Sequence, residues 1–263
     1  MPGPNRQRRH WVGARRPPLW QPLLWVLVVS LTACAAPTGP TEFPVLTKVA
    51  LDIGHTPAQP GAIGARGIAE YHYNRAMVEV VSATLRDLQG VKPVVINAEG
   101  REIGLRARTA AAASMRADIL LSFHHDSVQP QYVREIVLPD GKLGYHSPAR
   151  FSGFSLFVAE AGGASLQLAQ ALGGALLKAG FRPTLHHAEE IPGENRQLLD
   201  RDRGVYRFPE LVVLNTATQP SVLVECGVIV NPDDEAQIGS AEYRRRFAAA
   251  IAQGLAAYFR EKP

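Results

Sequence analysis

Cysteines, long apolar runs and short metal-binding motifs are scarce in this sequence. Of its 263 residues only Cys34 and Cys226 are cysteines, which excludes a disulfide-rich scaffold. The longest predominantly apolar run, residues 23–31, is too short to cross a hydrocarbon core of about 30 Å. No H-E-x-x-H motif is present, which excludes a zinc site of that short-range type.

Acidic residues are missing from the first 33 residues, which carry five arginines. The formal charge of +4 therefore comes from this segment, because the remaining chain has 23 lysines and arginines against 24 acidic residues. With a nearly neutral remainder, nucleic-acid binding loses its main support in the sequence. We therefore expect no nucleic-acid partner.

The same N-terminal segment has the layout of a secretory signal: arginines, then the apolar run, then small residues. Residues 31–34 (LTAC) resemble a bacterial lipobox, which implies cleavage after residue 33 and lipidation of Cys34. An ordinary signal peptide with an incidental Cys34 is the alternative. We expect a signal peptide over 1–33, a lipidated tether over 34–44 and a catalytic domain over 45–263. By the same resemblance, Ala35 after the cysteine implies anchoring in an outer membrane, facing the periplasm, if the cell has one.

Strand and helix patterns alternate through the rest of the chain. Strand patterns cover 45–54, 91–97, 117–124, 154–158 and 221–226, and helix patterns cover 71–89, 101–115, 165–179 and the segment after Ser240. This alternation predicts a single α/β domain with a mainly parallel central sheet and helices on both faces. The long loops at 126–152 and 181–209 are expected to contribute to a functional site.

Three of the predicted strands end in a side chain that can bind a metal or move a proton: His55, His124 and Glu225. Ligands of open α/β sheets bind at the carboxyl ends of the strands, so the three are candidates for one site. A carboxylate that follows an apolar strand needs a metal, a cationic partner or a raised pKa. The alternative for Glu225 is a salt bridge to one of the many arginines.

The order of motifs resembles the zinc-dependent N-acetylmuramoyl-L-alanine amidases of the type-3 amidase family. The matching segments are Asp52-Ile53-Gly54-His55, Pro60-Gly61-Ala62-Ile63-Gly64, Glu70 with Asn74, Leu105 with Arg108, Ala117-Asp118 leading to Ser122-Phe123-His124, and residues 220–227 with Asn231. The resemblance runs from about residue 46 to 260. One departure is Asp126, which stands where the family usually has asparagine.

This resemblance implies that one zinc ion is held by His55, Glu70 and His124 and that Glu225 is the catalytic base. Three protein ligands leave the open position that a catalytic zinc site requires. The implied reaction is hydrolysis of the amide between N-acetylmuramic acid and L-alanine in peptidoglycan. A zinc peptidase or amidase for another cell-wall bond and a non-catalytic peptidoglycan-binding lipoprotein are the alternatives, and a protein activator is left open.

Other histidines compete for the ligand roles. His125 adjoins His124, but alternation along a strand lets only one of them face the site, and the family register selects His124. His72 is expected on the surface. Residues 186–190, which begin with His186 and His187, look like a metal site by composition. They lie in a polar loop without strand support, however, so we expect them to be solvated or to face the substrate.

Overall fold

Seven strands form one sheet, and two more form a separate hairpin, within residues 46–261, the part of the chain that the computed structural model describes. The strands are β1 (Thr47–Ile53), β2 (Val91–Ile96), β3 (Ile119–Asp126), β4 (Arg134–Val137), β5 (Leu143–His146), β6 (Ser155–Val158), β7 (Gln197–Asp200), β8 (Val205–Arg207) and β9 (Ser221–Val228). The helices are α1 (Glu70–Arg86), α2 (Leu105–Ser114), α3 (Gly163–Lys178), α4 (Val212–Asn215), α5 (Pro232–Ile238) and α6 (Ala241–Glu261).

The sheet has the order β2-β1-β3-β9-β6-β8-β7. Its first four strands are mutually parallel, and β6 and β8 are parallel to each other, whereas β6 runs antiparallel to β9 and β7 antiparallel to β8. The prediction of an α/β fold with a mainly parallel sheet is confirmed. Because β1, β3 and β9 lie side by side, their carboxyl ends meet at one edge of the sheet.

Helices cover both faces of the sheet, as the sequence predicts. Alternate residues of β1 divide between the faces: Val49 and Leu51 pack in the main core with helices α1, α3 and α6, whereas Ala50 packs with Leu120 and Val213 on the other face. This double cover explains why the central strands are almost continuously apolar. The sheet edge at which the carboxyl ends of β1, β3 and β9 meet is therefore held by strands that are buried on both faces.

The two predicted long loops contain regular structure. The antiparallel hairpin β4/β5 lies within 126–152, and strands β7 and β8 lie within 181–209. These strands have only three or four residues, too few to show a two-residue period in the sequence. Among residues 46–261, no helix is long and apolar enough to span a membrane. The predicted signal peptide, Cys34 and the whole predicted tether lie outside the described residues.

Candidate active site

His55 follows the end of β1 in a left-handed backbone conformation (φ 67°) that the side chain of Arg108 holds in place. The guanidinium donates to the backbone oxygens of His55 (2.7 Å) and Ile53, and it pairs with Asp52 Oδ1 at 2.7 Å. Asp52 also accepts a hydrogen bond from Ser122 on β3 (2.7 Å). Both members of the Asp52–Arg108 pair are almost fully buried, so this network fixes the strand end that carries His55.

Replacing Arg108 by glutamine is expected to lower the free energy of unfolding by about 3–5 kcal/mol, because the Asp52 charge would stay buried without its partner. Urea unfolding of the purified protein measures this. Arg106→Gln is the matched control, since Arg106 lies on the same helix but is exposed. A loss in Arg108→Gln no larger than in that control would contradict the role of the buried pair.

Glu70, the first residue of α1, stands between the two strand-end histidines. Its Oε2 lies 3.0 Å from Nε2 of His55, and its Oε1 lies 2.9 Å from Nδ1 of His124. One candidate ligand atom from each of the three side chains lies within 4.8 Å of the other two. The structure thus brings together the three side chains that the sequence analysis selected as ligands.

Neighbouring groups orient the Glu70 carboxylate. The Asn74 amide, one turn along α1, donates to Oε1 (3.1 Å) and to the backbone oxygen of Gly54 (3.0 Å), and the backbone N–H of Ala62 donates to Oε2 (3.2 Å). Burial raises the pKa of Glu70, but its hydrogen bonds with His124 and His55 outweigh this effect and hold that pKa well below the ordinary value. Glu70 is therefore an anionic oxygen donor.

His125 points to the opposite side of β3 from His124, as strand alternation requires. Its side chain is buried, and its Nδ1 lies 2.8 Å from Oδ1 of Asn74. Burial lowers the pKa of His125 to about 3, so the ring is neutral. His125 is thus placed to support Asn74, and His72 is exposed as predicted.

The space around the three donors fits a metal ion. A Cβ atom at Gly54 would overlap the imidazole of His124, and one at Gly61 would overlap the Glu70 carboxylate. Gly61 also has a φ of +78°, which side chains rarely adopt. Two imidazole nitrogens with one carboxylate form an N/O donor set that suits zinc. The glycines leave room for these donors to converge.

Glu225 on β9 is directly paired with His124 on β3 in the sheet register. Its Oε2 is buried and has no hydrogen-bond partner, and no ion pair of Glu225 with a lysine or arginine is found within residues 46–261. The salt-bridge alternative is therefore wrong for the described chain. Burial and the negative charges of Asp126 and Glu70 raise the pKa of Glu225 well above its ordinary value. Such a carboxyl group is suited to accepting and returning a proton.

Two cavities reach these residues. One of about 410 Å³ is lined by His55, His124 and the start of α2, and another of about 250 Å³ is lined by Glu225, Asp126 and residues of the 181–209 segment. Cys226, the neighbour of Glu225, points into the main core and is fully buried. Only Glu225 of this pair can therefore meet a substrate.

The prediction that His186 and His187 lie in a solvated or substrate-facing loop is wrong as to solvation, although His187 lines the cavity that reaches Glu225. They form a one-turn 3-10 helix, and the side chains are buried against Asp126 at the end of β3. Burial lowers the pKa of His187, but Asp126 and Glu194 outweigh this and raise it to about 9. The sequence signals these residues only through composition, because nothing local in a polar loop reveals that it folds back onto a strand.

Comparisons with known proteins agree with this architecture. The protein YqiI of Bacillus subtilis (strain 168), described as uncharacterised, is 28% identical over 242 residues, covering 92% of this chain and 98% of its own. The N-acetylmuramoyl-L-alanine amidase AmiA of Escherichia coli (strain K12) is 28% identical over 246 residues, covering 80% of this chain and 75% of its own.

Among solved structures, the N-acetylmuramyl-L-alanine amidase Ami1 of Mycobacterium smegmatis superimposes with a TM-score of 0.63 at 25% identity, covering 84% of this chain and all of the other. The family described as N-acetylmuramoyl-L-alanine amidase matches residues 49–257, most of the chain and every element of the site. The chain therefore belongs to the N-acetylmuramoyl-L-alanine amidase family and is an amide hydrolase of that class.

Proposed function

We propose that this protein hydrolyses the amide bond between N-acetylmuramic acid and L-alanine in peptidoglycan with one zinc ion held by His55, Glu70 and His124. The observation that carries the proposal is the convergence of these three donors beside the buried, unpartnered carboxyl oxygen of Glu225. Family membership supports the choice of bond. The donor set, with two imidazole nitrogens and an anionic carboxylate oxygen, supports the choice of metal.

A zinc ion bound here supplies Lewis-acid polarisation of the scissile carbonyl and lowers the pKa of water towards about 7. Glu225 takes the proton from the attacking water as the new C–O bond forms. It then passes that proton to the alanine nitrogen as the C–N bond breaks, leaving a carboxylic acid on the sugar and a free amine on the peptide. The raised pKa of Glu225 suits the second transfer, because a more basic carboxylate keeps the proton until the amine takes it.

The other residues of the site hold these groups in place. Arg108 fixes the backbone beneath His55, and Asn74 holds the Glu70 carboxylate against the end of β1. We place the scissile bond between His124, which lines the larger cavity, and its sheet partner Glu225, which lines the smaller one. Binding energy from a long glycan-linked substrate then orients the amide against a fixed site.

Digestion of purified peptidoglycan followed by mass spectrometry of the products tests the proposed bond. We expect free stem peptides that begin with an unblocked L-alanine amine, together with glycan strands that carry free lactyl carboxyl groups. New amine and carboxyl ends produced by cleavage of a different amide would contradict the proposed bond and identify the protein as another kind of cell-wall hydrolase. Unchanged peptidoglycan would favour a non-catalytic binding protein.

We also propose that the protein is exported and anchored through lipid on Cys34, outside the described residues. Replacing Cys34 by alanine is expected to abolish incorporation of labelled palmitate and to move the protein from the membrane fraction to the soluble fraction. The matched control is Cys226→Ala, because Cys226 is buried in the core and cannot be acylated in the folded protein. Unchanged labelling of Cys34→Ala would contradict the anchor.

A further inference from the structure

A second cluster of metal-binding side chains lies beside the proposed catalytic site. It consists of Asp126 at the end of β3 and of His186 and His187 in the 3-10 turn of the 181–209 segment. Oδ2 of Asp126 is 2.7 Å from Nε2 of His187 and 3.4 Å from Nε2 of His186. All three residues are at most 7% exposed. The cluster shares no residue with the first site, but it has the same composition of two imidazoles and one carboxylate.

Each imidazole of this cluster is held in its orientation by a hydrogen bond at Nδ1, the ring nitrogen that does not contact Asp126. Nδ1 of His187 lies 3.0 Å from the Glu194 carboxylate, and Nδ1 of His186 lies 2.8 Å from the Thr184 hydroxyl. When Nδ1 is the donor in these contacts, the proton lies there and the lone pair of Nε2 is free. Histidines that bind metals are held in this way, with the outer nitrogen donating to a carboxylate or another oxygen. Both Nε2 atoms then point to the same carboxylate oxygen.

The state of His186 Nε2 distinguishes a metal site from a group of side chains held together by ion pairs alone. A protonated His187 between Asp126 and Glu194 would satisfy both nitrogens of that ring without any metal. It would leave Nε2 of His186 buried with no hydrogen-bond partner, as it is found here. Buried polar atoms are rarely left unpaired, because they have lost their water without gaining a partner. A cation bound by all three side chains satisfies this nitrogen as well.

We propose that Asp126, His186 and His187 hold a second divalent transition-metal ion. Two imidazoles and one carboxylate favour zinc or a similar ion over calcium or magnesium, which prefer oxygen ligands. Asp126 and His187 line the cavity of about 250 Å³ that also reaches Glu225, so an ion has a path to the site. The ion would tie the segment carrying the histidines to the end of β3, beside the catalytic carboxylate.

Counting zinc ions per chain by mass spectrometry tests this inference. The full-length protein is equilibrated with buffered zinc, and we expect about two ions in the wild type, one in His124→Ala, one in His186→Ala and none in the double variant. One ion in both the wild type and His186→Ala would overturn the second site. Failure of the first site would show differently, as an unchanged zinc content in His124→Ala.

A milder variant keeps the test valid if His186→Ala does not fold. Glu194→Gln retains all three proposed ligands and changes only the group behind His187, so we expect the second ion to bind roughly 10–100-fold more weakly while the first is unaffected. His72→Ala, which removes an exposed histidine, is the control and should retain both affinities. Unchanged zinc affinities in Glu194→Gln would also overturn the proposal.

Discussion

Glu225→Gln is expected to lower the turnover of peptidoglycan amide hydrolysis by roughly 10²–10⁴-fold, the usual contribution of a general acid or base. Glutamine preserves the size of the side chain but can neither accept the proton from water nor return it to the leaving amine. The zinc content should stay at the wild-type level, because Glu225 is not one of the three proposed zinc ligands at the first site. Initial rates of stem-peptide release, with metal analysis on the same samples, measure both quantities.

The control for this variant is Glu242→Gln, which neutralises an exposed carboxylate on α6 and should retain full activity. Folding of Glu225→Gln should also be intact, since it removes a buried group that repels Asp126 and Glu70. Turnover within a few-fold of wild type would show that another group moves the proton. A parallel loss of zinc would instead make Glu225 a ligand.

His124→Ala is expected to weaken zinc binding at the first site by more than about 100-fold, beyond the 10–100-fold typical for groups that only support a ligand. The alanine removes one of two imidazoles and leaves Glu70 with His55 alone. At limiting zinc, hydrolysis should fall with the loss of metal. Titration with a zinc-sensitive dye gives the affinity, and the same samples give the rate.

Two further histidines make this prediction specific. His72→Ala removes an exposed ring two residues from Glu70 and should change neither affinity nor rate. His125→Asn removes the buried neighbour of His124, whose contact is with Asn74, and should weaken zinc binding far less than His124→Ala. A larger loss in His125→Asn than in His124→Ala would reverse the assignment of the two histidines.

The ends of the central strands could be predicted, because a continuous apolar run followed by a polar residue marks where each strand stops. Buried strands in a doubly covered sheet are continuously apolar, so the polar residue that ends each of them is visible in the sequence. Parallel pairing then brings His55, His124 and Glu225 to one edge. Glu70 has no such signal, since it begins a helix, and its selection rested on family resemblance.

Contacts between segments distant in sequence could not be predicted. Arg108 was selected as part of a motif, but only the structure shows its guanidinium beneath the backbone of His55. His186 and His187 are buried because the whole segment that carries them folds over β3. The residues next to them in the sequence do not indicate that Asp126 will be their partner. The short strands β4, β5, β7 and β8 were missed because pairing with neighbours, and not local pattern, defines them.

Removal and return of zinc test the central claim most directly. The purified protein is stripped with a chelator, and release of peptides with a free L-alanine amine from peptidoglycan is measured before and after zinc is added. We predict that stripping abolishes release, that zinc restores it in the wild type, and that the same zinc concentration does not restore it in His124→Ala. Undiminished release by the stripped wild-type protein would contradict a zinc-dependent amidase.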